Sequence, residues 1–328
     1  MYFGLSEDQI FFQDNVKRFL EDQAPLDIIK KISEGEDLSM KNELNQGLIN
    51  LGINNILIPE ENGGLGLDLL FASAVSQSLG EGVATFPFLG PYVIAPIAIK
   101  FGASDEQKEK LFNEMSQNLI SFGIGFSEYF GSRDSSGLSI TNNTVTGRTL
   151  FVLDTDYASH VMLCDKKGQI GFVSLDSEGI EIIDLTTVDK TRTYKEMSFE
   201  NTPIEILDNT KSSSLSIEMA LNAGRIITAA DSLGASQAMI NKAVEYSKER
   251  KQFNRVIGSF QAVKHMCAEM TAELEPCYSL VWHAAYSFDN SNKDSKLMAC
   301  LAKSHISEVS KMVSKKATEV HGGMGFTD

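Results

Sequence analysis

The chain has 328 residues, 42% of them hydrophobic and 22% charged. That length and balance allow two or three domains around a real core and exclude a disordered or fibrous chain. The formal charge of −15 raises the cost of approaching a phosphate backbone, which argues against nucleic acid and anionic membranes as partners.

The start, Met1-Tyr2-Phe3-Gly4-Leu5-Ser6-Glu7-Asp8, has no basic leader region. The longest apolar stretch, Pro91 to Ile99, is about half of the ~20 residues that a spanning helix needs. A cytoplasmic protein without membrane insertion is expected. Cys164, Cys267, Cys277 and Cys300 form no C-x-x-C pair and are expected as buried, reduced thiols.

From Ser6 to about Glu114 apolar residues recur at helical spacing, as in Ile10, Phe11, Val16, Phe19 and Leu20, and Ser6 is placed to cap the first helix. Turn chemistry interrupts the helices at Pro59 to Gly64 and Phe86 to Pro91. Near Ile120 the pattern changes to short β-rich runs: Ile120 to Phe126, Thr144 to Thr146, His160 to Cys164, Ile170 to Leu175, Ile180 to Ile183 and Glu196 to Phe199. Their close, even spacing predicts a small antiparallel sheet or barrel. After an Asp208 to Ser214 linker, long helices return over Leu215 to about Arg250, Gln261 to Phe288 and Lys293 to Val320. The Met266, Met270, Met298 and Met312 series fits helix cores.

Two motifs carry chemistry. The first runs from Ala229-Ala230-Asp231-Ser232-Leu233-Gly234 to Arg250-Lys251-Gln252-Phe253 and on to Gly258-Ser259-Phe260-Gln261-Ala262-Val263-Lys264-His265; the second is His321-Gly322-Gly323-Met324-Gly325-Phe326-Thr327. An Arg at a helix terminus offers a forked donor for pyrophosphate, and a Gly-Gly-x-Gly turn lets backbone N–H groups approach phosphate with no Cβ in the way. The competing reading is a capped helix end followed by helix-stopping glycines. No His set has metal-ligand spacing, so no metal site is expected.

Together the motifs resemble the acyl-CoA dehydrogenase family, whose segments run Y-A-x-x-R-x-Q-F-G-x-P-I-G-x-F-Q-A-x-K-H and Q-x-H-G-G-x-G-F-T. The resemblance spans the whole chain. It implies an α+β, acyl-CoA dehydrogenase-like fold: an N-terminal helical domain over 1–118, a middle β-domain over 119–210 and a C-terminal helical bundle over 211–328. It implies an FAD whose ADP half, in a neighbouring subunit, is held by Arg250, Gln252, Phe253, Gly322 and Gly323. It also places Ser127, in Phe126-Ser127-Glu128-Tyr129-Phe130-Gly131-Ser132-Arg133-Asp134, and Phe151 against the isoalloxazine, with Arg133 near pyrophosphate.

Departures from the family pattern set the functional expectation. Leu153 stands where a hydroxyl normally reaches flavin N5, and Glu319 where Gln is usual. The α-proton of an acyl thioester needs a carboxylate base. Most members place that Glu after G-F-T, beyond Asp328 here, and a minority place it just before an Arg on the first long helix of the last domain, where this chain has Gly224 before Arg225. Gly224 and Arg225 are thus expected at the substrate, and no catalytic residue is assigned. The resemblance implies α,β-dehydrogenation of an acyl-CoA to the 2,3-enoyl-CoA, of fatty or steroid side-chain type, within a homo-oligomer or with a second acyl-CoA dehydrogenase subunit supplying the Glu, and electron-transfer flavoprotein as acceptor. A non-catalytic structural subunit and a same-fold flavin monooxygenase are the alternatives.

Overall fold

The computed structural model describes residues 4–36, 38–209 and 213–326. Part of the expected 208–214 linker, and Thr327 and Asp328 of the terminal motif, lie outside them. In chain order come N-terminal helices, a mixed β-sheet and C-terminal helices. Contacts divide the chain into two compact units, Ile29–Asp68 with Thr85–Gly224, and Met1–Ile28 with Leu69–Ala84 and Arg225–Asp328.

The first of these units holds the sheet: β1 (Phe122–Gly125), β2 (Gly137–Thr141), β3 (Thr144–Leu153), β4 (His160–Cys164), β5 (Ile170–Ser174), β6 (Ile180–Leu185), β7 (Tyr194–Pro203) and β8 (Glu205–Ile206). Their order is β6-β7-β3-β1-β4-β5-β8, with β2 on β3. The sheet is mixed rather than antiparallel, because β1 pairs with β4 in parallel from Phe122↔His160 to Gly125↔Leu163. Residues between them form two further strands, β2 and β3, so the return to β1 is a crossover that short-range alternation does not reveal. Val145, Val152, Val161, Leu163, Val173, Met197 and Phe199 fill one face as its core. At Gly147, φ is +119° and an added Cβ would lie 2.0 Å from the Gly137 carbonyl, so this position admits only glycine.

The same unit contains α3 (Leu38–Asn50), a π-helical turn at Gly90–Ile94, α5 (Ala95–Gly102) and α6 (Asp105–Ser116). Ser104 caps α6 by accepting from the Gln107 amide.

The second unit holds α1 (Glu7–Gln23), α4 (Leu69–Glu81), α9 (Gln261–Asp289), α10 (Ser295–His321) and the C-terminal part of α8 (Ser213–Glu249). Ser6 caps α1 as expected, in a box with Gln9: the Ser6 amide donates to Gln9 Oε1 at 2.8 Å. At the start of α4, the Leu69 and Leu70 amides donate to the Asp289 carboxylate at 2.9 and 3.0 Å. The small residues of the first motif serve packing. A Cβ on Gly234 would lie 1.8 Å from the Gln77 carbonyl and one on Gly80 2.0 Å from the Asp231 carbonyl, so α4 and α8 touch backbone to backbone.

Of the cysteines, Cys164 and Cys277 are buried, whereas Cys300 is exposed. Cys300 falls between the inward positions Ala299 and Ala302 of α10, so the helical period turns it to solvent and corrects the expectation of a buried thiol. Met270 is buried, whereas Met266, Met298 and Met312 are only half-buried, so of the series only Met270 lies in the core. No helix among the described residues is long and apolar enough to cross a membrane. No group of three His, Cys, Asp or Glu among them could hold a metal ion.

Candidate cofactor and substrate site

Within the sheet unit, the end of β3 is built irregularly. Pairing with β7 shifts register between Thr149 and Val152, and Phe151, inside the shift, takes φ +56°. A bulge with a left-handed bulky residue stores strain, as functional segments commonly do. The consequence is direct: Phe151 leaves the buried surface and stands 43% exposed, with the Arg133 guanidinium 5.8 Å from its ring centroid. An exposed aromatic ring with an exposed cation over it suits a ring system that carries phosphate.

Glu128 holds this platform, although the sequence reading passed over it. It is 1% exposed; its carboxylate accepts from the Leu150 amide at 3.1 Å, Ser136 Oγ at 2.6 Å and Ser127 Oγ at 3.2 Å. These donors satisfy the buried carboxyl oxygens and tie α7 (Ser127–Phe130), a single turn, to the strand. Its signal was the Glu in the quoted Ser127-Glu128 pair. Ser127 Oγ also lies 2.5 Å from the Leu150 carbonyl, so its single proton goes either to that carbonyl or to Glu128 and must turn outward to reach a flavin edge.

Beyond Phe151, Asp154 (φ +59°) is buried and accepts from the Gly90 amide at 2.8 Å. Burial pushes its carboxyl above the usual range, with Arg192, the Gly90 amide and Lys41 pulling it back down. Tyr92 stacks on Phe86 at 5.4 Å, and its phenol is pushed up to about 12 by burial and by Asp154.

Gly224 is buried, and an added Cβ would stand 3.3 Å from Ile94 Cδ1. Arg225, next on α8, is half-buried and engaged by other groups.

In the helical unit, Arg250 ends α8, its amide donating to the Tyr246 carbonyl at 2.9 Å and its carbonyl accepting from Ile257 at 2.8 Å. Then β9 (Lys251–Gln252) and β10 (Arg255–Val256) form a hairpin whose two-residue turn, Phe253 and Asn254, has φ +53° and +61°. That is the type I′ pattern, for which Phe is a poor residue. Phe253 is nevertheless 87% exposed, and Arg250 and Gln252 are exposed beside it. Gly322 ends α10 with φ +60°, and Gly325 is needed because a Cβ would meet the Thr318 carbonyl at 2.6 Å. Gly323 has neither constraint, and nothing lies within 4 Å of its missing Cβ. Its open backbone, with the exposed Arg250 and Phe253, fits an external dinucleotide. His321 joins the two elements: Nδ1–H donates to the Ala317 carbonyl at 2.7 Å and the ring stacks on Tyr246.

The family described as acyl-CoA dehydrogenase, N-terminal domain, matches residues 6–118, and that described as acyl-CoA dehydrogenase, C-terminal domain, matches residues 215–328. The chain is 27% identical to the caffeyl-CoA reductase–Etf complex subunit CarC of Acetobacterium woodii, over 99% of this chain and 90% of that protein. It is 27% identical to the short-chain-specific acyl-CoA dehydrogenase of Clostridium acetobutylicum, over 100% and 91%. A 3-(aryl)acrylate reductase of Clostridium sporogenes is 26% identical, over 93% and 82%. Among solved structures, glutaryl-coenzyme A dehydrogenase with glutaryl-CoA superposes with TM-score 0.86 at 23% identity, covering 100% of this chain and 88% of that one. PigA with FAD and proline superposes with TM-score 0.87 at 19% identity, covering 100% and 90%; both likenesses show the fold.

Proposed function

We propose that this chain, which belongs to the acyl-CoA dehydrogenase family, is an oxidoreductase subunit that works with FAD on an acyl-CoA thioester and draws its catalytic carboxylate from a partner subunit. FAD supplies the acceptor for the β-hydrogen, removed as hydride while a base takes the α-proton. Phe151 and Arg133 provide the face on which the flavin ring rests, and Glu128 keeps that face fixed. Arg250, Gln252, Phe253 and the Gly322-Gly323 backbone serve the ADP half of an FAD in a neighbouring subunit.

The observation that supports the division of labour is Gly224: on α8, immediately before Arg225, where the resemblance puts the carboxylate of a minority of the family, the chain has a buried glycine. The outward C-terminal helices fit assembly with a second subunit, since Tyr286, Leu297 and Leu301 are 53%, 53% and 44% exposed. The related CarC is named as a subunit of an Etf complex, which supports an electron-transferring flavoprotein as redox partner here.

Two relatives are named as reductases. The same residues serve the reverse reaction, and the direction is set by the redox partner. The domain limits 1–118, 119–210 and 211–328 are part of this reading.

The test is to purify the chain alone and with the product of its neighbouring gene and to compare flavin absorbance. The chain alone should hold little flavin and the pair should be yellow. A homo-oligomer carrying one FAD per chain contradicts the proposal.

A further inference from the structure

Asp154 is a buried carboxylate for which the reaction described above has no use, yet the chain is shaped around it. Its φ of +59° is one that few side chains adopt readily. Facing it, Gly90 has no room for a Cβ: such an atom would lie 2.9 Å from Asp154 Oδ2, 3.1 Å from Asp154 Cβ and 3.1 Å from Leu153 Cδ1. The contact is therefore between a backbone amide and a carboxylate, with nothing to spare. Gly90 opens the π-helical turn that ends at Ile94, and Ile94 is the side chain beside Gly224. One chain of contacts thus runs from Phe151 and Leu153 through Asp154 and Gly90 to Ile94 and Gly224, all within one compact unit.

Resting on the proposed function for Gly224 and Phe151, we infer that Asp154 is a positioning residue: its bond to the Gly90 amide sets how deeply the Gly90–Ile94 turn seats against the end of β3, and so the room at Ile94 for an acyl chain. A π-turn lacks the regular i→i+4 ladder, so its placement depends on contacts outside itself. The Asp154–Gly90 bond supplies one at the turn's first residue. Charged groups around the carboxylate are Arg192, which donates to the Phe86 carbonyl at 2.9 Å, and Lys41 and Asp156, which pair with each other at 3.0 Å. Asp156 also faces Lys195 at 3.8 Å.

The experiment compares Asp154→Gly, Asp154→Asn and Gly90→Ala in the assembled complex. Asp154→Gly keeps the left-handed backbone and deletes the acceptor, Asp154→Asn restores an acceptor, and Gly90→Ala pushes the two apart with the carboxylate intact. Two readouts are taken: hydrogen exchange at the 90–94 amides without ligand, and the ratio of octanoyl-CoA to butyryl-CoA affinity by calorimetry. Asp154→Gly and Gly90→Ala should each speed exchange at 90–94 by about tenfold or more and shift the ratio by about fivefold or more in the same direction, a size that one or two methylenes of pocket depth can produce. Asp154→Asn should leave both within about twofold of the parent. Unchanged exchange and ratio in folded Asp154→Gly and Gly90→Ala overturn the inference. So does faster exchange with an unchanged ratio, since the turn would then be a scaffold only. A parent complex that binds neither thioester contradicts the functional reading instead, and exchange at 90–94 then decides whether Asp154 seats the turn.

Discussion

The rings of Tyr246 and His321 stack 4.6 Å apart at 27°, one turn before the end of α8 and at the last residue of α10. This pair brings the exposed Arg250 hairpin and the Gly322-Gly323 turn to one end of the helical unit. Two motifs separated by about seventy residues thereby become one surface. Arg250→Ala should lower the flavin retained by the purified complex, because a hydrogen bond to a charged group contributes about 1.5 to 3 kcal/mol. Flavin content after gel filtration reads this directly, and unchanged content would reduce Arg250 to a helix cap.

Phe253 makes the opposite trade. It sits with φ +53° at the first position of a turn that favours Asn. Phe253→Asn should relieve strain and stabilise the chain by about 1 kcal/mol, while removing the exposed ring from its external contact and reducing flavin retention. Urea unfolding and absorbance measured on the same preparation test both halves. A destabilised variant with full flavin would show that the ring works only inside this chain.

The end proposed to face the nucleotide is legible in the sequence because its residues are contiguous and need particular backbone: Gly322 for its φ, Arg250 for its place at a helix end. The flavin face was less legible. Phe151 is singled out only by the family resemblance; from alternation it reads as one more strand residue, and the register shift against β7 brings it to the surface. The parallel pairing of β1 with β4 depends on a partner far along the chain, whereas β2 pairs with β3 across the adjacent Asn142–Asn143 turn and was open to a local reading that was not made. Glu128 and Asp154 were passed over for a related reason: a charged residue in a loop looks solvated until the fold closes over it.

Asp154 gives a pH dependence whose sign follows from its burial. The folded protein holds the Asp154 proton more tightly than the unfolded chain, so its contribution to stability is complete below the ordinary carboxylate value of 3.8 and is lost as pH rises through the raised folded value. Asp154→Asn removes this loss. As pH rises from the ordinary carboxylate value of 3.8, the variant should therefore gain stability relative to the parent, read from denaturation midpoints across that range. Parallel profiles would mean that Arg192 and Lys41 cancel the effect of burial.

On the proposed function, Gly224 is the place to introduce a base. An added Cβ would sit 3.3 Å from the movable end of Ile94, so Gly224→Ala should be tolerated and gain up to about 1 kcal/mol from helix propensity. Gly224→Glu introduces a carboxylate into buried surroundings and should cost stability. In the FAD-loaded complex it should nevertheless raise dehydrogenation, since general-base catalysis is typically worth about 10² to 10⁴-fold. Gly224→Gln should not. No gain in folded, FAD-loaded Gly224→Glu protein would mean that this stretch of α8 is closed to the thioester.

The central claim is that this subunit contributes to FAD binding but takes its catalytic carboxylate from a partner. The most direct measurement is anaerobic: acyl-CoA is added to the chain alone with FAD supplied, of which it should retain little, and to the reconstituted complex, and the absorbance of the oxidised flavin is followed. The account predicts bleaching by acyl-CoA in the complex and none in the chain alone. Bleaching in the chain by itself would show that its own residues supply the base, and would contradict the account.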